Sequence, residues 1–94
     1  MSLFRVYKNY TRRMDESDTK EEIRAFCQII GKTIATERKG HKITQDELAH
    51  RAGYHRTYMG VVERGEKTPT LWTLKKIAAE LKMKPSELLA KAGF

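Results

Sequence analysis

The stretch TQDELAHRAGYHRTYMGVVERG, residues 44–65, constrains the fold more than any other part of this chain. Its first four residues, Thr44-Gln45-Asp46-Glu47, form a capping-box pattern, which predicts that a helix begins there. Gly53 is expected to end this helix, and a second short helical pattern follows over residues 56–64. The apolar residues expected to face inward are Leu48, Ala49 and Ala52 in the first pattern and Met59 and Val62 in the second.

A longer amphipathic helix is predicted before this stretch. Good N-cap residues stand at Ser17, Asp18 and Thr19, and the helical pattern runs to about Lys39, where Gly40 is expected to supply a left-handed cap. Gly31 interrupts the pattern and indicates close approach of another helix. The apolar stripe of this helix comprises Ile23, Phe26, Cys27, Ile30 and Ile34.

Two further helices are predicted after residue 65. Thr70 is expected to cap one of them, and Pro85 stands at the first helical position of the other. Their apolar positions are Leu71, Leu74, Ile77, Ala78 and Leu81, then Leu88, Leu89 and Ala92. No strand pattern occurs, and 94 residues suffice for one core. The predicted fold is therefore an all-α domain of five helices over residues 19–94.

Residues 1–18, MSLFRVYKNYTRRMDESD, differ from the rest and are treated as an N-terminal extension. Phe4, Tyr7, Tyr10 (or Thr11) and Met14 recur at helical spacing between basic residues. The extension is expected to be helical, because three aromatic residues at this spacing are unusual in a disordered arm. Its alternatives are a basic arm that orders on nucleic acid and a frayed tail, and it is a candidate site for a protein partner.

Composition bears on partners and on chemistry. The 19 Lys and Arg against 12 Asp and Glu give a net charge of +7, which suits a polyanion. The three histidines, His41, His50 and His55, lack partners at metal-ligand spacing, and Cys27 falls on the apolar stripe as a small core residue. No membrane span or signal peptide is expected. We therefore expect a cytoplasmic, nucleoid-associated protein that uses no metal or cofactor and is not an enzyme.

The two short helices joined by a glycine turn have a helix-turn-helix arrangement. From Ile30 to Leu89 the chain resembles the lambda-repressor/Cro-like helix-turn-helix family, also called XRE-like. The segments that carry this resemblance are ITQDELAHRAG, RTYMGVVERG and TPTLWTLKKIAAELKMKPSELL. RTY ahead of VERG is similar to the controller proteins of restriction–modification systems. The chain departs from the family at Lys42, where a glycine is usual, and at His55, where a small N-cap serine is common.

The resemblance implies a sequence-specific regulator of transcription, such as a repressor, that binds double-stranded DNA as a dimer. The third helix would enter the major groove, where Arg56 can bind a guanine through two hydrogen bonds. Gly60 would let the helix approach the base edges closely. The candidate base-contacting residues are Arg56, Thr57, Tyr58, Gly60 and Val61, and the candidate backbone-contacting residues are Gln45, Arg64, Lys67, Thr68 and Thr70.

Several of these residues have structural alternatives. Tyr58 could be a core or rim aromatic, Val61 could pack against the first helix, and Arg56 could pair with Glu22 or another acid. Gly53 and Gly65 are expected to be turn residues with no contact role.

The resemblance also implies a partly buried salt bridge between Arg38 and Glu63. A homodimer is expected through an apolar C-terminal surface made of Leu88, Leu89, Ala92 and Phe94. Trp72 either forms part of this surface or covers the core instead. A different function class remains open, in which the same fold serves as a protein-interaction module such as an antitoxin or a bridging coactivator. The feature that supports this alternative is the aromatic, basic N-terminal extension, residues 1–18.

Overall fold

The computed structural model describes residues 19–94, which form five α-helices and no strand. The helices are α1 (Lys20–Gly40), α2 (Gln45–Ala52), α3 (Arg56–Glu63), α4 (Leu71–Glu80) and α5 (Pro85–Lys91). The predicted all-α class and helix order are thus confirmed over this range, whereas the expected helix in residues 1–18 lies outside it. None of the five helices is long and apolar enough to cross a membrane.

Threonine side chains cap three of the helices: Thr44 and Thr70 as the sequence predicts, and Thr19 as one of the three candidates for the first helix. The hydroxyl oxygens of Thr19, Thr44 and Thr70 accept hydrogen bonds of 3.0–3.1 Å from backbone N–H groups in the first turns of α1, α2 and α4. Each bond satisfies one of the N–H groups that a helix start leaves without an internal partner. At Thr44 the Glu47 side chain also accepts from the Thr44 N–H, which completes the predicted capping box.

The core lies between α2, α3 and α4, and α1 and α5 close it. Its fully buried side chains include Ile34, Leu48, Met59, Ile77 and Leu88. Three expected core residues are corrected by the structure. Ile23 and Phe26 are about half exposed, and Leu71 is 82% exposed, because these side chains lie in the first two turns of α1 and the first turn of α4, where the described helices leave them partly uncovered.

The connection between α1 and α2 turns later than the sequence predicts. Gly40 is still helical, and Lys42 adopts the left-handed conformation, with φ of 58°. A side chain at such a φ costs about 1–2 kcal/mol relative to a right-handed residue. Arg38 holds the turn in place, since its Nη1 donates a 3.0 Å hydrogen bond to the carbonyl oxygen of Ile43. The left-handed residue is thus Lys42, at the position where the resembled family usually has glycine, and the expectation for Gly40 was wrong.

Two glycines allow the C-terminal end of α3 to pack directly on α1. A Cβ on Gly31 would lie 2.5 Å from the carbonyl oxygen of Glu63, and one on Gly65 would lie 2.6 Å from the Cα of Gln28. The close approach of another helix expected at Gly31 is confirmed. Gly65 has φ of 72° and is the turn glycine that the sequence predicts, and its packing on Gln28 is an additional structural role. Backbone contacts at both positions therefore fix where α3 sits.

Candidate nucleic-acid interface

The turn between α2 and α3 orients the two helices. Gly53 has φ of 82°, and its N–H bonds back to the carbonyl oxygen of His50. His55 then caps α3, because its Nδ1 accepts a 3.0 Å hydrogen bond from the backbone N–H of Thr57. The histidine thus supplies the acceptor that a serine would otherwise provide, and α3 begins at Arg56.

A buried ion pair joins α1 to the end of α3. Arg38 donates from Nε and Nη2 to the two carboxylate oxygens of Glu63, at 2.8 and 3.1 Å, and the two side chains are only 12% and 6% exposed. Gln45, the first residue of α2, donates from Nε2 to Glu63 at 3.1 Å. Glu63 therefore connects three helices, and the Gln45 amide nitrogen is directed toward this carboxylate.

The first turn of α3 is open to solvent. Arg56 and Thr57 are exposed, and within residues 19–94 Arg56 forms no ion pair, with Glu22 or with any other acid. Tyr58 is half buried, packs against the core and lies beside Tyr54, with ring centroids 5.1 Å apart. Val61 is likewise half buried. Arg56 and Thr57 are thus the most accessible of the candidate base-contacting residues.

Gly60 does not lie on an open face, and this expectation is corrected. The residue is buried, and a Cβ there would lie 2.9 Å from Arg64 Nη1 and 3.4 Å from Gln45 Oε1. Arg64 in turn donates to the carboxylate of Glu66 from Nε at 2.7 Å and from Nη2 at 3.3 Å. This hydrogen bond lowers the pKa of Glu66 and raises that of Arg64. The surface above Gly60 is therefore made of polar side chains.

The remaining candidate backbone-contacting residues lie around the start of α4. Lys67 is exposed, and Thr68 is exposed with its hydroxyl 3.2 Å from the Cys27 sulfur. The Thr70 hydroxyl caps α4 and donates to Thr73, whose own hydroxyl lies 2.7 Å from that of Tyr54. The turn before α3 and the start of α4 are thus joined by hydrogen bonds. Sequence reasoning missed Tyr54 and Glu66, because nothing in their spacing indicates these partners.

The C-terminal apolar surface differs from the expected one. Leu88 is fully buried in the core and cannot form part of it, whereas Leu89 and Ala92 are half buried. Phe94 is exposed and its ring centroid lies 4.5 Å from that of Phe26. Trp72 is exposed and does not cover the core. An apolar groove of about 250 Å³ lies here, lined by residues that include Phe26, Pro69, Leu71 and Leu89.

The described part of the chain offers no group of His, Cys, Asp and Glu side chains that could hold a metal ion. Cys27 is buried, and His55 is occupied as a helix cap.

Comparisons with known proteins agree with this geometry. A family model described as helix-turn-helix matches residues 34–88. Control protein C.SmaI of Serratia marcescens is 36% identical over 67 residues, which cover 71% of this chain and 80% of that protein. The crystal structure of the restriction-modification controller protein C.AhdI from Aeromonas hydrophila is 33% identical, with a TM-score of 0.66 over 68% of this chain and 97% of that one. The clp gene regulator ClgR from Corynebacterium glutamicum shares the fold, with 22% identity and a TM-score of 0.70 over 72% of each chain.

Proposed function

Because the chain belongs to the helix-turn-helix family, we propose that it is a sequence-specific transcription regulator that binds double-stranded DNA through α3. In this arrangement α2 lies across the sugar-phosphate backbone and α3 enters the major groove. The net charge of +7 favours association with a polyanion. The names of the similar proteins describe controllers and regulators, which supports this function over that of an enzyme.

The observation that carries the proposal is the two-sided character of α3. Met59 and Val62 are buried on one side, while Arg56 and Thr57 are exposed at the N-terminal turn. Residues near the start of a recognition helix are the ones that meet base edges. An arginine there can bind O6 and N7 of a guanine with two hydrogen bonds, and Thr57 can contact several bases. Tyr58 and Val61, half buried, are secondary candidates.

Contacts to phosphate are proposed for the groups that flank α3. Lys67 and Thr68 are exposed in the loop before α4, and Thr70 opens that helix. Gln45 opens α2, where backbone N–H groups point outward at a helix start and suit a phosphate. Such contacts raise affinity for every sequence and carry no base information.

We further propose that the protein acts as a homodimer. The exposed apolar groove beside Phe26, Leu71 and Phe94 would be covered by the same groove of a second copy, with Leu89 at its edge. A two-fold dimer would place two α3 helices about 34 Å apart, on half-sites one DNA turn apart. Such a protein would act at the nucleoid.

The dimer is tested by sedimentation at micromolar concentration, with Leu71→Glu as the disrupting variant. Leu71 is 82% exposed, so the substitution removes no core packing. The wild type should sediment as a dimer and the variant as a folded monomer with an unchanged helical circular-dichroism spectrum, although its melting temperature loses the contribution of dimerisation. A monomeric wild type, both free and bound to its DNA site, would contradict the proposal.

Base reading and phosphate anchoring are separated by two alanine variants, tested on a site selected from random duplexes. Arg56→Ala should weaken binding to the selected site by about 1–3 kcal/mol and flatten the preference at one base pair. Lys67→Ala should weaken binding to selected and scrambled duplexes alike. It should also reduce the magnitude of the slope of log affinity against log salt concentration, here called the salt slope, by about one. Fluorescence titrations at several salt concentrations measure both effects.

The outcome that argues against base reading by α3 is equally specific. If Arg56→Ala lowers affinity for selected and scrambled duplexes by the same factor, Arg56 only anchors phosphate. If no duplex is selected at all, the fold serves another purpose, such as binding a protein partner.

A further inference from the structure

The geometry around Gly60 points to a second base-reading residue, and we propose that Arg64, which directly follows α3, reads a guanine with the guanidinium that covers Gly60. This inference rests on the proposed function, since it assumes that α3 enters the major groove. It changes the roles that the sequence suggests for two residues. Gly60 makes room for the Arg64 side chain instead of contacting bases, and Arg64 contacts a base instead of a phosphate.

Helix geometry places Arg64 over Gly60. Side chains on a helix lean toward its N-terminus, so a residue covers the turn four positions earlier. Arg64 is four residues after Gly60, and its Nη1 lies 2.9 Å from where a Gly60 Cβ would be. A side chain at position 60 would displace the guanidinium from this place. Glycine therefore leaves room for the Arg64 guanidinium close to the backbone of α3.

Glu66 fixes the orientation of this guanidinium. The Glu66 carboxylate accepts hydrogen bonds from Nε and Nη2 of Arg64, with donor–acceptor distances of 2.7 and 3.3 Å. A guanidinium has five N–H donors, and three remain after these two bonds. The remaining donors on Nη1 and Nη2 form the outer edge of the fork, which can bind O6 and N7 of a guanine. The Arg64 side chain is 58% exposed, so solvent reaches more than half of it.

Orientation by a carboxylate distinguishes this arginine from an ordinary phosphate anchor. A neighbouring carboxylate weakens the attraction of an arginine for a phosphate, because it offsets the positive charge. A base-reading arginine gains from a fixed plane, because two parallel hydrogen bonds require a set geometry. The ion pair of Arg64 and Glu66, at the C-terminal end of α3, fits a base-reading role.

The test compares affinities of the intact chain for the selected duplex and for a scrambled duplex, at several salt concentrations. Arg64→Ala should lower affinity for the selected duplex by about 5- to 150-fold and affect the scrambled duplex far less. Arg64→Lys should not restore the preference, because lysine lacks the two-donor fork. Glu66→Gln should lower the ratio of the two affinities, even though loss of a negative charge favours DNA binding in general.

Gly60→Ala is a second variant, and it is expected to leave the fold intact. The added methyl group meets the far end of a flexible side chain, and alanine favours a helix by about 1 kcal/mol over glycine, so the melting temperature should not fall. The affinity ratio should nevertheless fall, because Arg64 is displaced. Combining Gly60→Ala with Arg64→Ala should cause no further loss beyond Arg64→Ala alone.

The results that would overturn the role of Arg64 differ from the result that would overturn the proposed function. If the wild type prefers a selected duplex but Arg64→Ala weakens both duplexes equally, with the salt slope lowered by about one, Arg64 is a phosphate anchor and the inference fails alone. Full retention of the preference by Arg64→Lys, or an additive loss in the double variant, also overturns it. A wild type with no preference for any duplex overturns the proposed function itself.

Discussion

Glu63→Ala is expected to lower the free energy of unfolding by about 3–5 kcal/mol, because it leaves the Arg38 guanidinium buried without its partner. The two side chains are only 12% and 6% exposed, so water cannot replace the lost carboxylate fully. Gln45 loses its 3.1 Å hydrogen bond to the same group. A single domain is stabilised by roughly 5–15 kcal/mol, so this loss brings the protein close to unfolding.

Thermal unfolding measures this effect against a matched control. Glu66→Ala removes a carboxylate three positions later, from an ion pair whose side chains are 58% and 53% exposed. The control should keep its melting temperature, while Glu63→Ala should melt more than about 10 °C lower. Equal melting temperatures for the two variants would show that the Arg38–Glu63 pair is not buried in solution.

Gly31→Ala is expected to destabilise the protein although alanine is the better helix former. A Cβ at this position would lie 2.5 Å from the carbonyl oxygen and 2.8 Å from the carbonyl carbon of Glu63, and it would also overlap the carbonyl oxygen of Val62. Backbone atoms cannot swing aside as a side chain does, so α3 must move away from α1. Overpacking of this kind typically costs about 1–3 kcal/mol.

Gly40→Ala is the matched control for this prediction. Gly40 lies in the same helix, and apart from its chain neighbours and its own stretch of helix backbone no atom lies within 4 Å of its added Cβ. Alanine there should stabilise the protein by about 0.4–1 kcal/mol. Chemical denaturation should therefore give changes of opposite sign for the two variants. Because Gly31→Ala displaces the end of α3, it should also weaken binding to the selected duplex. A stabilising effect at both positions would contradict the close contact of α1 and α3.

Local signals predicted the helices well, because four of the five starts carry a recognisable capping or first-turn residue. The threonines at positions 19, 44 and 70 and Pro85 mark four starts from neighbouring residues alone. The spacing of Met59 and Val62 likewise predicted which side of α3 is buried. These features depend on contacts within about one helical turn, so a sequence pattern contains them.

Errors arose where a residue's environment depends on distant parts of the chain. Leu71 fits the apolar spacing of α4, yet no neighbouring helix of the described range covers its turn, and it is 82% exposed. Leu88 fits a surface dimer stripe but is drawn into the core. Gly65 follows a helix, which indicates a turn, but its packing on the backbone of Gln28 follows only from the position of α1.

In the candidate interface, too, the sequence predicted local features but not contacts between distant residues. Arg56 and Thr57 are exposed as a helix start implies, whereas the cover over Gly60 depends on the rotamer of Arg64 and its hydrogen bonds to Glu66. The salt bridge of Arg38 and Glu63 came from family resemblance, because 25 residues separate the partners and no local pattern links them. Side-chain arrangements between elements therefore required the structure.

The claim that α3 reads the major groove is tested most directly with chemically modified duplexes. In 7-deazaguanine the N7 acceptor of the major groove is replaced by C–H, whereas inosine lacks only the N2 amino group of the minor groove. Substituting a guanine that the selected site requires with 7-deazaguanine should weaken binding about tenfold, since a hydrogen bond to a charged donor is lost. Inosine at the same position should leave the affinity nearly unchanged. The reverse result, with inosine harmful and 7-deazaguanine harmless, would place the protein in the minor groove and contradict the account.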